Sequence, residues 1–272
     1  MDETWTQPVT VETMYGDWDF ETAVAALDRS LNPRPSIAVL DYIEPLGVGS
    51  GDVVLDIGGR EGQHAVVMAE RFGCRVMCVD PVAANIERGR DLVAAHDHGH
   101  MVELRQGSIE QIPADEASFK LVFARDMLGH IADLKLALTE CRRVVTPGGR
   151  MLIFEVFATP EMYPEELAAL CGHTATVPER MSVEDFEDSA RAAGFRIATC
   201  DIIGSEFVEA SQESGTAPNY LVELSRLRRA KDALIEEMGE IPYRVMYGNA
   251  LWSVYRFLGK LESRIYVLED AG

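Results

Sequence analysis

The residues best suited to chemistry lie in the stretch VVLDIGGREGQHAVVMAERFGCRVMCVDP, residues 53–81. An apolar run reaches Asp56 and breaks into three glycines within five residues; a second apolar run ends at Asp80, 24 residues after Asp56. Glycines let a backbone approach a ligand closely, and a following helix presents free N–H groups. An acid at the end of the next strand accepts hydrogen bonds from ribose hydroxyls. The pattern predicts a ligand site.

The same stretch discriminates between cofactors. A nicotinamide site favours G-x-G-x-x-G directly after the strand, whereas this chain has Gly58, Gly59 and Gly62 preceded by Asp56. A carboxylate ahead of the glycines would repel a pyrophosphate and suits a cationic group. A nicotinamide oxidoreductase is therefore disfavoured.

Strands and helices alternate through most of the chain, which predicts a parallel sheet with helices on both faces. Ligands of such sheets bind at the carboxyl ends of the strands. The helix-like segments between the first five strands are 62–72, 83–95, 109–113 and 134–145. The predicted strands are Val53–Ile57, Arg75–Val79, Met101–Arg105, Lys120–Ala124, Arg150–Phe157, Phe195–Ile203 and Arg264–Leu268.

Four motifs in order over residues 50–157 carry a family resemblance. LDIGGREG resembles the first motif, D-x-G-x-G-x-G, of class I S-adenosylmethionine-dependent methyltransferases, and CVDP resembles their ribose-binding acid. GSIEQIPADEASFKLVFARDMLGHIAD and ALTECRRVVTPGGRMLIFE resemble their adenine-contacting, fourth-strand and fifth-strand motifs. The resemblance is closest to small-molecule enzymes that methylate quinones, amino acids such as sarcosine, and secondary metabolites.

The resemblance implies a fold and a division of the chain. The fold is a doubly wound, mostly parallel, seven-stranded Rossmann-like sheet whose last strand is antiparallel. Residues 1–50 would form an N-terminal helical lid and residues 51–204 the cofactor-binding core. Residues 205–262 are too long an insertion for a structureless loop and would form a helical cap, and residues 263–272 would supply the last strand.

The resemblance also implies a binding site for S-adenosyl-L-methionine. The implied residues are Asp56, Gly58, Gly59, Arg60, Gly62, Asp80, Pro81, Ser108, Ile109, Arg125 and Met127. Arg60 stands where the family has its middle glycine: its side chain either pairs with the ligand's carboxylate or is a solvated turn residue. Ser108 replaces a common acid, and Lys120 a common Asp. His64 either contacts the cofactor or, as we favour, caps the first turn of its helix.

Three residues are candidates for the methyl-transfer step, which depends on alignment and exclusion of water and on a base only where a proton must leave. His130 is a candidate base or hydrogen-bond partner for the substrate; the alternative, which we slightly favour, is a helix residue tied to the backbone. Glu155 would orient an acceptor, or be a solvated strand end. Tyr15, before Gly16 and a helix, suits a lid. Among the other histidines, HDHGH at 96–100 is interpreted as a polar turn rather than a metal site, and His173 as an uninformative loop residue.

Composition excludes several classes of partner. With 25 Lys and Arg against 45 Asp and Glu, the formal net charge is −20, so phosphate backbones and anionic membranes are disfavoured. The start of the chain has no basic signal-peptide region, and no apolar stretch reaches about 18 residues. Five cysteines in apolar surroundings indicate reduced core residues of a cytoplasmic protein without a metal. Exposed aromatic residues leave room for a homo-oligomer.

The sequence thus predicts transfer of a methyl group from S-adenosylmethionine to a small, hydrophobic organic acceptor, such as a natural product. Whether oxygen, nitrogen or carbon accepts the methyl group stays open. The alternatives are a quinone-type C-methyltransferase and a protein that binds the cofactor without methyl transfer. An RNA or protein methyltransferase is disfavoured by the charge and by the lack of a basic stripe.

Overall fold

The computed structural model describes residues 7–16 and 18–272, and the chain divides into two compact units, residues 1–33 and 34–272. The first unit contains helices α1 (Val11–Met14) and α2 (Phe20–Leu27). Thr10 and Asp19 cap them by accepting backbone N–H bonds at the helix starts, as short polar side chains do. No described residue of either helix is buried. Trp5, an aromatic residue of the expected lid, lies outside the described residues.

The second unit is built on a seven-stranded sheet in the order β3-β2-β1-β4-β5-β7-β6. Strands β1 to β5 are parallel, and β7 runs antiparallel between β5 and β6. The predicted fold class is confirmed, including the antiparallel last strand. The strands are β1 (Val53–Ile57), β2 (Arg75–Asp80), β3 (Val102–Gln106), β4 (Phe119–Arg125), β5 (Val145–Ala158), β6 (Phe195–Gly204) and β7 (Leu261–Asp270).

Helices cover both faces of the sheet, which explains why the central strands are apolar almost throughout. One core cluster includes Leu40, Met68 and Phe123, and the other includes Leu55, Leu138 and Phe157. The α-helices of this unit are α3 (Gln63–Phe72), α4 (Ala83–Ala95), α5 (Leu134–Val144), α6 (Pro164–Thr174), α7 (Val183–Ala192), α8 (Glu206–Glu213), α9 (Tyr220–Arg229), α10 (Lys231–Met238) and α11 (Glu240–Phe257). Short 3₁₀ helices occupy Ser36–Leu46, Gly99–Met101, Leu128–His130 and Pro178–Met181.

The predicted helix at 109–113 is wrong. The segment is a turn in which the Gln111 N–H bonds the Ser108 carbonyl and the Ile112 N–H donates to the Glu140 carboxylate, 3.0 Å away. Pro113 disfavours the helical conformation at the residue before it, so five residues do not sustain a helix here.

The cysteines follow the prediction at four of five positions. Cys74, Cys78, Cys141 and Cys171 are buried and free, whereas Cys200 is free but exposed. Cys200 lies on β6, at the edge of the sheet, and an edge strand has one neighbour fewer to cover it. The expectation that Cys200 belongs to the core is therefore wrong.

Helices α8 to α11 all lie between β6 and β7 in the chain. They include a small core of their own, formed by Leu227, Tyr243 and Ala250. The role of residues 205–262 as a cap stays a prediction, as do the other domain boundaries. Within residues 7–16 and 18–272, no helix combines the length and apolarity needed to cross a membrane.

Candidate active site

The glycine turn joins the end of β1 to the start of α3. Gly58 and Gly62 have φ values of +72° and +83°, a region that favours glycine because it has no Cβ. The Gly58 N–H donates to the Val79 carbonyl at 2.8 Å, which ties the turn to β2. A Cβ on Gly62 would lie 3.0 Å from a methyl carbon of Leu104. The turn is thus closely packed against Val79 of β2 and Leu104 of β3.

Gly59 lies directly against the carboxylate of Asp56. A Cβ at Gly59 would lie 2.5 Å from Asp56 Oδ2 and 2.6 Å from the sulfur of Cys78, so only glycine fits. Asp56 is buried, and its Oδ2 has no hydrogen-bond partner. Burial raises the pKa of this carboxyl to about 7, although Arg125 opposes the shift. A buried acceptor without a partner is costly, and a ligand cation would satisfy it.

Arg60 takes part in the turn through its backbone. Its φ is +53°, a left-handed value that is uncommon for a residue with a side chain. Its N–H donates to Asp80 at 3.0 Å. Its side chain is 69% exposed and lies 3.6 Å from Glu61, as the solvated-turn interpretation expects.

Asp80 is buried at the end of β2. Besides the Arg60 N–H, its carboxylate accepts the Val82 N–H and the side-chain amide of Asn85, each at 2.9 Å. A carboxylate has about four acceptor sites, so capacity for a further donor remains. The Gly107 N–H bonds the Asp80 carbonyl, which places the 107–109 turn next to this acid.

A cavity of about 270 Å³ opens above the turn; we call it the glycine-turn cavity. It brings together five residues predicted from the sequence or its resemblance and adds three more. The other predicted residues, Gly62, Asp80, Pro81, Ser108, Ile109 and Met127, are not among its lining residues. The lining consists of Asp56, Gly58, Gly59, Arg60, Gln63, His64, Arg125 and Asp126.

Arg125 extends its side chain into this cavity from the end of β4. Its guanidinium lies 2.5 Å from Nε2 of His64 and 5.4 Å above the ring of Phe154. Because a guanidinium only donates, His64 Nε2 is the acceptor and the imidazole is neutral. Burial and the charge of Arg125 lower the pKa of His64 to about 4. Helix α3 has no side-chain cap, so the capping role expected for His64 is wrong.

The remaining predicted residues follow the ends of neighbouring strands. Met127 packs on the turn, since a Cβ at Gly58 would lie 2.8 Å from its Cγ. Ile109 is buried in the core beside Val79. Ser108 is half-buried and Pro81 is exposed.

A second cavity, of about 280 Å³, lies beyond the end of β4; we call it the histidine cavity. It contains the predicted catalytic residues His130 and Glu155. It also receives side chains from the predicted cap. The lining consists of Asp126, Gly129, His130, Glu155, His173, Thr174, Ala175, Thr176, Val245, Asn249 and Trp252.

One ring nitrogen of His130 takes part in a hydrogen bond. Its Nδ1 lies 3.0 Å from the carbonyl oxygen of Ala175. A carbonyl only accepts hydrogen bonds, so the N–H is assigned to Nδ1. Nε2 then carries the lone pair. A neutral imidazole held in this tautomer is competent to accept a proton from a bound molecule.

Glu155 is not a solvated strand end, and that interpretation is wrong. Strand β5 continues to Ala158, and Glu155 is buried. Its Oε2 accepts the Leu128 N–H at 2.8 Å, which fixes the turn that carries His130. Burial raises the pKa of Glu155 to about 8, and the negative charge of Asp126 adds to the shift.

Asp126 lines both cavities. Its φ is +51° and its N–H donates to the Phe154 carbonyl at 2.8 Å. Its side chain is exposed to the two cavities. The protein around the carboxylate nevertheless removes part of its hydration, and this desolvation raises its pKa. The two cavities therefore share one wall at the end of β4.

Three comparisons with known proteins bear on this geometry. Residues 55–153 match the family model described as a methyltransferase domain. The chain is 28% identical over 117 residues to the glycine/sarcosine/dimethylglycine N-methyltransferase of Actinopolyspora halophila, covering 43% of this chain and 21% of that protein. It is 33% identical over 120 residues to the ubiquinone/menaquinone biosynthesis C-methyltransferase UbiE of Hahella chejuensis, covering 43% and 48%. The matches span less than half the length of these relatives.

A solved structure of geranyl diphosphate methyltransferase in complex with SAM has the same fold, with a TM-score of 0.66 and 16% identity over 86% of this chain and 85% of that one. The predicted resemblance to class I methyltransferases is confirmed, because residues 55–153 match a methyltransferase domain and the fold is that of a methyltransferase. The cofactor of the chain is S-adenosyl-L-methionine, and the chemistry of this methyltransferase's glycine-turn cavity fits it. The unpartnered Asp56 oxygen suits the ammonium of the donor, and Gly59 leaves room for a close approach.

Several site residues of the methyltransferase were not found from the sequence. Asp126 was not among the predicted site residues, although it follows a predicted strand end. His173 was interpreted as a loop residue, but it lies in α6 and lines the histidine cavity. Gly248 of α11 lies so close to α6 that a Cβ there would be 2.8 Å from the Cβ of His173. Only helix packing brings His173 to the site.

Tyr15, the predicted lid residue, belongs to the first unit. It follows α1 and is 79% exposed. Its role in the methyltransferase stays a prediction.

Proposed function

We propose that this protein transfers the methyl group of S-adenosylmethionine to a small organic acceptor, free of anionic groups, that binds in the histidine cavity. The observation that carries the proposal is the shared wall at Asp126. A donor in one cavity and an acceptor in the other would meet there, and methyl transfer depends above all on such alignment.

The glycine-turn cavity would hold the donor, which supplies a methyl group activated by its sulfonium. Asp56 would bind the ammonium, and Asp80 the ribose hydroxyls. The buried, low-dielectric surroundings of Asp56 strengthen such contacts. The ends of β2 and β3 next to Asp80 would cover the adenine with Ser108 and Ile109.

His130 would act as the base when the acceptor is a hydroxyl or an amine. Its Nε2 is free to take the proton because Nδ1 donates to Ala175. Glu155 supports this role from behind by binding the Leu128 N–H, and so holds the 3₁₀ turn in place. The presence of His130 makes a carbon acceptor, as in quinone-type methylation, the less favoured alternative.

The lining of the histidine cavity indicates which acceptors fit. Two acidic side chains, Asp126 and Glu155, face it, and among the described residues neither Lys nor Arg lines it. A phosphate or carboxylate brought here would be desolvated without a counter-charge, which is costly. Val245 and Trp252 add apolar wall. These features favour a neutral or basic, partly hydrophobic molecule.

The test uses S-adenosylmethionine labelled in its methyl group and a metabolite extract of the cells that make the protein. The extract is passed over an anion exchanger, and both fractions are incubated with enzyme and labelled donor. Label in a product of the unbound fraction, absent with His130→Ala, is expected. Label only from the retained, anionic fraction would contradict the acceptor class. Donor binding without any labelled product would favour a protein that binds the cofactor without transfer.

A further inference from the structure

We infer that Arg125 binds the carboxylate at the methionine end of the donor and that His64 is the positioning residue that holds Arg125 ready for it. This inference rests on the proposed function, because it concerns the donor in the glycine-turn cavity. It assigns to a side chain of β4 the contact that Arg60, at the centre of the turn, was a candidate to make.

The charges in the cavity match those of the ligand. The methionine end of the donor carries one ammonium and one carboxylate. Two carboxylates and two guanidiniums line the cavity. Of the carboxylates, Asp56 has a buried oxygen without a hydrogen-bond partner, and of the guanidiniums, Arg125 is the less exposed. Arg125 is half-buried, and this desolvation lowers its pKa although the charges of Asp126 and Asp56 oppose the shift. A buried cation in a ligand cavity gains most from an anion that the ligand brings.

Arg60 is the less suitable partner. Its side chain is 69% exposed and lies near Glu61, so water and a neighbouring acid compete for it. A solvated ion pair contributes little to binding. Arg125 instead lies between His64 and the face of Phe154, and an arginine fork that is already oriented loses less freedom on binding.

The neutrality of His64 is what makes it suited to this task. An acidic residue at that position would pair with Arg125 and cancel its charge. The imidazole accepts one hydrogen bond, at 2.5 Å, and carries no charge. Arg125 is therefore held in place while its positive charge stays available. The ring of His64 is in turn packed 5.9 Å from that of Phe123.

The position of His64 follows from the turn. Gly62, with its positive φ, lets the chain enter α3 directly, and His64 is the second residue of that helix. Its side chain thus reaches the cavity from the helix start, opposite the end of β4.

The test measures two ligands by calorimetry on the full chain. S-adenosylhomocysteine carries the amino-acid end, and 5′-methylthioadenosine lacks it. We expect His64→Ala to weaken S-adenosylhomocysteine about tenfold, as loss of a charge-assisted hydrogen bond does, and to leave 5′-methylthioadenosine within about twofold. Arg125→Gln should show the same split, with a larger loss. His64→Gln, which keeps an acceptor, should restore most of the affinity, and His64→Glu should bind S-adenosylhomocysteine more weakly than His64→Ala.

Other outcomes overturn the inference. Equal losses for both ligands would mean that His64 supports the fold rather than Arg125. Unchanged S-adenosylhomocysteine affinity in His64→Ala or Arg125→Gln would exclude the contact. The control is His100→Ala, an exposed residue near β3, which should alter neither affinity. If the wild-type protein binds neither ligand, the donor site of the proposed function fails, which is a different result from a missing split.

Discussion

The two cavities are of similar size, about 270 and 280 Å³, but they are assembled in different ways. The glycine-turn cavity is made by residues 56–64 and by the end of β4 at 125–126. The histidine cavity combines residues 126–130, 155 and 173–176 with positions 245–252 of α11. One site is local in sequence, and the other depends on where helices pack.

The difference follows from what each cavity must do. The proposed donor has one fixed structure, so a strand, a glycine turn and a helix start would suffice to hold it. The proposed acceptor site is closed by α6 and α11, which are separate from the strand ends and free to differ in shape. Mutations in the two cavities should therefore separate donor binding from turnover.

The largest effect is expected at His130. His130→Ala removes the proposed base, and kcat should fall by roughly 10² to 10⁴ for a hydroxyl or amine acceptor. Affinity for S-adenosylhomocysteine should not change, because His130 does not line the glycine-turn cavity. Steady-state kinetics and calorimetry check the two halves. A fall in donor affinity as large as the fall in kcat would show that the cavities are not separable.

Gly59→Ala should produce the opposite pattern. The new Cβ would lie 2.5 Å from Asp56 Oδ2, so the carboxylate or the turn must shift, and overpacking of this kind costs about 1–3 kcal/mol. Donor affinity should fall up to about 100-fold. Gly49→Ala, which meets no atom within 4 Å, is the control. Normal donor binding by Gly59→Ala in calorimetry would refute this account of the turn.

A smaller effect, on the KM for the acceptor, is expected at Trp252. Trp252→Ala removes apolar wall from the histidine cavity, and KM for the acceptor should rise about tenfold, as loss of buried aromatic surface predicts. Donor KM should stay the same. Phe257→Ala, an exposed residue of the same helix, is the matched control, and equal effects of both variants would count against a specific contact.

The smallest effect is expected in the pH dependence of folding stability. Burial raises the pKa of Glu155 to about 8 from 4.5, so the folded protein holds a proton that the unfolded chain releases. The contribution of Glu155 to the free energy of unfolding is fully present below about pH 4.5 and is lost as the pH rises through about 8. Thermal unfolding at pH 5.5 and 8.5 should show a larger difference for wild type than for Glu155→Gln. Glu161→Gln, exposed, should keep the wild-type difference; loss of it there would contradict the assignment.

The sequence predicted the sheet and most of the glycine-turn cavity because their signals are local. Alternating apolar runs locate the strands, and parallel strands bring their carboxyl ends to one edge. Asp56, Gly58, Gly59, Arg60 and Arg125 therefore line one cavity, as expected of residues at that edge. The helix predicted at 109–113 failed because an apolar pair in five residues does not outweigh the proline that follows it.

What the sequence determined by itself was the class I methyltransferase fold and most of the lining of the glycine-turn cavity, the proposed donor site. Tertiary structure decided the protonated nitrogen of His130, the burial of Glu155 and the partnership of His64 with Arg125. It also placed His173 and Trp252 in the lining of the histidine cavity. The physical reason is that pattern and spacing specify local backbone conformation, whereas desolvation and hydrogen-bond partners are supplied by segments distant in sequence.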